Sequence, residues 1–313
     1  MSSLEDESTR LEALLTRHRQ REWHFVRPGG NLGDQLIYAG AEALAGRLGL
    51  RCRHFDAENF VPTSIGSGAA VYLHGGGGLN QWGSGRALKN FVAALSIPDA
   101  LVVQGPQTCE TETPVVAERL RAALKESRAR EVHLYVREQA SAYYLKDFPV
   151  PNVHLHLDHD TALQLRQEDL LRMGGLTRPP SPRYVLLVNR RDDEAPQNAA
   201  RRYRDVVEMD PAYYCASLGH WIRVHAFASR IFTNRLHSAI GGALLGVPVT
   251  MTGGNYHKNR SVWEYSLRER GVEWLASFEN ELAVDNSPPL LPKWLARSWK
   301  VQRLMMRLRG VPA

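Results

Sequence analysis

The feature that most narrows what this chain can fold into is a repeated alternation of short apolar runs with glycine loops and helical stretches. Residues 23–26 (Trp-His-Phe-Val) read as a strand, 29–34 as a loop and 35–48 as a helix. A second strand at 70–73 runs into four consecutive glycines at 75–78. A third at 101–103 precedes a helical stretch over 114–125, and a fourth at 133–136 precedes a helix over 138–146. Short buried strands alternating with crossover helices are the sequence signature of a parallel sheet. Residues 173–183 pack two Gly and three Pro into eleven positions and read as a linker. Beyond it the alternation resumes, with strands at 184–188, 230–233 and 247–251, a helical piece at 203–208 and an Ala/Gly-rich helix at 236–245. The expectation is an α/β protein of two Rossmann-like domains, 1–175 and 184–285, with a cleft between them. In such sheets ligands bind outside the carboxyl ends of the strands.

Length and composition agree with this reading. A chain of 313 residues accommodates two cores, and 43% hydrophobic with 23% charged residues excludes a disordered or fibrous protein. The chain carries 39 Lys and Arg against 33 Asp and Glu. All of that excess lies at one end: residues 290–313 hold six basic residues (Lys293, Arg297, Lys300, Arg303, Arg307, Arg309) and no acidic one. The body is therefore formally neutral, which argues against nucleic acid as a partner. Over 290–309 a helical wheel puts the basic residues on one side and Leu291, Trp294, Leu295, Val301, Met305 and Leu308 on the other. Such a C-terminal amphipathic helix can dock its apolar face on the body or lie on an anionic membrane surface. Three widely spaced cysteines (Cys52, Cys109, Cys215) and a charged N-terminus without an apolar core suit a cytoplasmic protein with free thiols. Leu4, Leu11, Leu14 and Leu15 suggest a short amphipathic helix there.

Three loops fall at expected strand ends. The first, Gly29-Gly30-Asn31-Leu32-Gly33-Asp34, opens a helix, where free N–H groups favour an anion; Asp34 there is a cap or a ligand residue. The second is the glycine run containing Gly76 and Gly77, whose entropic cost suits a close backbone approach. The third, Thr233-Asn234-Arg235-Leu236-His237-Ser238, holds a bidentate cation and a titratable imidazole at a strand–helix junction. His154, His156 and Asp158 would share one strand face, as a zinc site, a polar cleft edge or a solvated surface.

Seven stretches together resemble one family, the polysaccharide pyruvyltransferases. They are residues 30–34, the glycine run 75–78, Arg137-Glu138 with Ser141, Asp160-Thr161-Ala162, Arg235-Leu236-His237, Gly246-Val247-Pro248 and Asn255-Tyr256-His257-Lys258-Asn259-Arg260-Ser261. The likeness covers roughly residues 24–265. It implies a glycosyltransferase-B-like pairing of domains, phosphoenolpyruvate as donor substrate with no cofactor or metal, and a sugar or lipid-linked oligosaccharide as acceptor. It also implies roles: His237 as general acid with Arg235 gripping the donor, and Arg137, Lys258, Asn259, Tyr256, Asn31, Asp34, Gly76 and Gly77 lining the substrates. In this chain Asn234 stands where the family often has Asp, which removes one carboxylate that could pair with Arg235.

Other readings of the same residues remain. Arg137 would pair with Glu138 or Asp160, Lys258 would be exposed, Tyr256 would be a wall aromatic and Ser141 would pack within a helix. The rival functions are a nucleotide-sugar glycosyltransferase of the same fold and a non-catalytic sugar-binding relative. Acceptor specificity has no motif.

Overall fold

The computed structural model describes residues 10–80, 85–109, 114–146, 150–190, 203–283, 304 and 306–312. They divide into two compact units, Met1–Gly30 with Ile37–Gln164, and Asn31–Leu36 with Leu165–Ala313. The join thus falls ahead of the 173–183 segment on which the sequence placed it. Residues 31–36 also group with the second unit, far from it in sequence.

The first unit contains β1 (Glu22–Arg27), β2 (Arg51–Asp56), β3 (Ala70–Leu73), β4 (Gly76–Leu79), β5 (Leu101–Cys109), β6 (Glu131–Val136) and β7 (Val153–Leu157). All pair in parallel, in the order β2-β1-β3-β5-β6-β7, with β4 added on the far half of β5. The second unit contains β8 (Tyr184–Val188), β9 (Val206–Met209), β10 (Ala228–Thr233), β11 (Val249–Met251) and β12 (Glu273–Trp274), also parallel, in the order β12-β11-β10-β8-β9. The helices are α1 (Arg10–Arg17), α2 (Asp34–Arg47), α3 (Arg86–Leu95), α4 (Pro114–Lys125), α5 (Gln139–Leu145), α6 (Gln167–Met173), α7 (Pro211–Tyr214), α8 (Leu218–Ala226), α9 (Leu236–Leu244) and α10 (Lys258–Val262).

Strand periodicity divides the first core in two. In β3, Val71 and Leu73 join Phe91, Leu95, Leu120 and Leu124 from α3 and α4, while Ala70 and Tyr72 join Leu11, Leu15, Ala41 and Leu44 from α1 and α2. A parallel sheet covered on both faces needs apolar residues at every position, so its strands read as continuous runs. Where that need lapses, the sequence signal lapses too. β2 is an edge strand rich in charge (Arg51, Arg53, Asp56) and mostly exposed. β4 is three glycines and a leucine. It exists because Gly75, just before it, lets the backbones close in: a Cβ there would lie 2.1 Å from the Pro106 carbonyl oxygen. The expected helical piece at 203–208 is corrected to the strand β9, whose Val206, Val207 and Met209 are buried against β8. Two adjacent β-branched residues favour the pleated conformation, and so short an apolar run fits either period.

The carboxyl edge of the first sheet is braced by a buried ion pair. Arg137, 1% exposed, donates from Nη1 to Asp160 Oδ2 at 2.5 Å and from Nε to Thr108 Oγ1 at 2.9 Å. Thr108 donates to Glu138, which also accepts from Ser141, and Ser141 Oγ accepts from Cys109 N. The pairing of Arg137 with Asp160 and the packing role of Ser141 are the structural readings weighed from sequence.

The histidines of β7 form a ladder with β6. The rings of His154, His133, His156 and Tyr135 stack in turn, with centroids 5.0, 5.1 and 4.5 Å apart. His133 Nδ1 lies 2.9 Å from His156 Nε2, and its Nε2 lies 2.9 Å from Glu131 Oε1. Its partners thus sit on opposite nitrogens, and among the described residues no His, Cys, Asp or Glu group of three converges on a metal-sized centre. Asp158 accepts from the backbone N–H of Leu11 and His159. Burial, then the charges of His133, His154 and Arg10, push His156 down to about 4.

Most of the 290–313 helix lies outside the described residues. Residues 306–308 are helical, Val311 is buried, and Arg309 donates to the Val206 carbonyl while His220 contacts that of Pro312. Leu308, which the sequence assigns to the apolar face, is 75% exposed. Cys109 and Cys215 are buried and Cys52 is half-buried.

Two outcomes follow. Arg137→Ala strands a buried carboxylate and should cost about 3–5 kcal/mol in chemical denaturation, with Asp160→Asn similarly destabilising. An unfolded imidazole takes up its proton near pH 6.5, whereas His156 does so near 4. Stability should therefore be whole above about pH 6.5 and fall as the pH drops toward 4, since the unfolded chain binds more protons in that window. Urea midpoints at pH 7 and 5 should differ less in His156→Gln than in the parent.

Candidate active site

Parallel strands deliver their carboxyl ends to one edge, and the second sheet concentrates chemistry there. Asn189 follows β8, Asp210 follows β9, Asn234 and Arg235 follow β10, and the segment containing Tyr256, Lys258 and Asn259 follows β11. Arg235 is the N-cap residue of α9, so His237 stands in the first turn of that helix.

Arg235 is 7% exposed and held side-on by Asp210, with Nε 2.7 Å from Oδ1 and Nη2 donating to Oδ2 at 2.7 Å. The hydrogen bond from Nη2 and the close ion-pair contact of Nε hold the guanidinium against the carboxylate. Asp210 is itself anchored as the cap of α7, accepting from Ala212 N. The carboxylate paired with Arg235 thus comes from β9 and not from position 234. Asn234 instead accepts from Arg190 N at 2.8 Å and donates to Asn189 Oδ1 at 3.4 Å. Asp210 was missed because nothing local links it to Arg235, 25 residues away. Its one signal was its place before Pro211 at the end of an apolar run.

The loop 29–34 carries Asp34 to His237. Asn31 Oδ1 accepts from Gly33 N at 2.8 Å, and Asp34 Oδ2 accepts from Asn31 N at 2.9 Å. The other carboxylate oxygen, Oδ1, lies 3.4 Å from His237 Nδ1. The approach is tight: a Cβ on Gly33 would lie 3.0 Å from both His237 Cβ and Asn31 Oδ1. Asp34 therefore closes the loop through Asn31 and faces the imidazole at once. Burial alone would raise its carboxyl. The hydrogen bond and charge of His237, the Asn31 N–H and the charge of Lys258 outweigh this and hold it below the usual carboxylate range.

Lys258 is buried, its Nζ 5.0 Å from the centre of the Tyr256 ring, so the exposed reading does not hold for it. Tyr256 is half-buried and meets His257 edge-on. Asn259, 2% exposed, donates from Nδ2 to the carbonyls of Asn234 (2.7 Å) and Thr252 (3.3 Å). The second unit thus gathers Asn31, Asp34, Arg235, His237, Tyr256, Lys258 and Asn259. Gly76, Gly77 and Arg137 belong to the first, the glycines in β4 and Arg137 in its buried pair. A carboxylate-oriented imidazole with a fixed guanidinium and a buried ammonium suits an anionic substrate and a proton transfer.

No curated protein matches the chain. Among solved structures, a functionally uncharacterised protein from Klebsiella pneumoniae subsp. pneumoniae aligns with a TM-score of 0.60 at 20% identity, covering 85% of this chain and 97% of that one. At that identity the likeness is one of fold. The sequence profile of the polysaccharide pyruvyl transferases matches residues 31–255, from Asn31 of the first loop through Arg235 and His237, and stops just short of Tyr256. That span is well over half of the chain, and it bears out the resemblance read from the motifs: this protein belongs to the polysaccharide pyruvyl transferase family.

Proposed function

We propose that the protein transfers the pyruvyl group of phosphoenolpyruvate to two hydroxyls of a sugar in a polysaccharide precursor, closing a ketal and releasing phosphate. The observation that carries this reading is the Asp34–His237 contact beside Lys258 and Arg235 on one sheet edge. The enol carbon becomes electrophilic only when its methylene is protonated. With Nδ1 turned to Asp34, His237 gives that proton from Nε2, and the Asp34 carboxylate favours the protonated ring. One sugar oxygen then bonds to the central carbon, and a second displaces phosphate. Of the two hydroxyl protons, one leaves on phosphate and the other restores His237. Arg235 and Lys258 hold the donor's phosphate and carboxylate without reacting. The glycines 76 and 77, Asn31 and Tyr256 serve substrate binding in this reading, while Arg137 and Asn259 brace the strand ends.

The same proposal pairs the two units in the glycosyltransferase-B manner. It makes lipid-linked oligosaccharide at the inner face of the cytoplasmic membrane the acceptor, with the enzyme peripheral there through 290–309. The acid-free basic run supports this, and among the described residues no helix is long and apolar enough to cross a membrane.

Incubation with phosphoenolpyruvate and a panel of lipid-linked and nucleotide sugars should give a product heavier by one pyruvate less water, with one phosphate released per product. A gain of one hexose with nucleoside diphosphate release would overturn the reading. His237→Gln should lower kcat by about 100-fold or more with the donor KM little changed, as expected for loss of a general acid; full turnover would remove it from that role. Because Asp34 titrates below the ordinary carboxylate range, its charge persists through the acidic half of the profile. Asp34→Asn should move the alkaline limb of kcat to lower pH, the protonated imidazole having lost its counter-charge.

A further inference from the structure

Three asparagines on the carboxyl edge of the second sheet form one directional chain of hydrogen bonds. It starts on β9, where Glu208 accepts from Asn189 Nδ2 at 3.2 Å. Asn189 Oδ1 accepts from Asn234 Nδ2 at 3.4 Å, and Asn234 Oδ1 accepts from the backbone N–H of Arg190 at 2.8 Å. The Asn234 carbonyl accepts from Asn259 Nδ2 at 2.7 Å, and the same nitrogen reaches the Thr252 carbonyl at the end of β11. The chain therefore crosses the ends of β9, β8, β10 and β11 in the order in which those strands lie in the sheet. Its members are 8%, 2% and 2% exposed for Asn189, Asn234 and Asn259.

The partners set every amide's orientation. Asn234 must turn its oxygen to the Arg190 N–H, so its nitrogen faces Asn189. Asn189 must then turn its own nitrogen to Glu208. Asn259, between two carbonyls, presents its nitrogen to both. A carboxylate at position 234 has no proton to give Asn189 Oδ1, and two oxygens would face each other in a dry site. It would also be a second anion adjoining Arg235, whose guanidinium already faces Asp210.

We propose that Asn189, Asn234 and Asn259 are positioning residues, an uncharged amide belt that fixes the loop bearing Arg235 and His237 while adding no carboxylate beside Arg235 at position 234, and so sets the affinity of the site for its anionic donor. The identity of that donor rests on the pyruvyl-transfer reading; the belt does not. Asn234 decides the charge of the site, and Asn189 and Asn259 hold it in place.

The test separates geometry from charge. Asn234→Asp should speed amide hydrogen exchange over residues 188–190 and 234–238. It should also weaken phosphoenolpyruvate binding by calorimetry about tenfold, more at low salt than at high. Adding Glu208→Gln lets the relay run in reverse, since the new amide can donate to a turned Asn189 whose nitrogen now meets the carboxylate. The double variant should recover parental exchange and keep the weakened binding. Unchanged exchange and unchanged affinity in Asn234→Asp would overturn the proposal. So would an affinity restored together with exchange in the double variant, because the effect would then be merely structural. If the parent binds no phosphoenolpyruvate, the pyruvyl-transfer reading falls, and the exchange measurements still decide whether the belt holds the loop.

Discussion

Every strand of the second sheet runs in the same direction, and from that constraint the site follows. Parallel pairing sends the chain back to the opposite edge after each strand, so each exit is free to carry a polar residue that the apolar strand cannot hold. Asn189, Asp210, Arg235 and Lys258 lie far apart in sequence and are neighbours only because β8, β9, β10 and β11 end together. The helix α9 starts at the central exit, so His237 comes with a fixed distance from Arg235 and with the N-terminal end of a helix dipole favouring an anion.

Charge at this edge is matched almost group for group. Arg235 faces Asp210, and His237 faces Asp34. Lys258 is buried, and its charge is felt at Asp34. A buried cation left alone is expensive, and one fully neutralised has little attraction left for a substrate. The amide belt resolves this by supplying hydrogen bonds without charge, so that loop rigidity and anion affinity are set by different residues. At the edge of the first sheet Arg137 pairs with Asp160 within a buried polar network.

Much of this was legible in the chain. The buried strands of both sheets announced themselves because both their faces are covered, and Arg235-Leu236-His237 stood out at a strand–helix junction. β9 was misread because four residues cannot distinguish one period from the other. β2 and β4 were silent because an edge strand needs charge and a glycine strand has no side chains to pattern. Asp34 was legible as a residue that mattered, its two roles as one geometry were not, and Asp210 carried no local sign of its partner.

By itself the sequence determined the class of fold, the family and most of the residue types at the site, since periodicity and loop chemistry are local properties. Only the tertiary structure decided the pairings: Asp210 with Arg235, Asp34 with His237, and the order Glu208, Asn189, Asn234, Asn259 across the strand ends. The reason is physical. A charge or an amide is satisfied by whatever the sheet register brings within about 3 Å, and register belongs to the packed fold, not to any stretch of the chain.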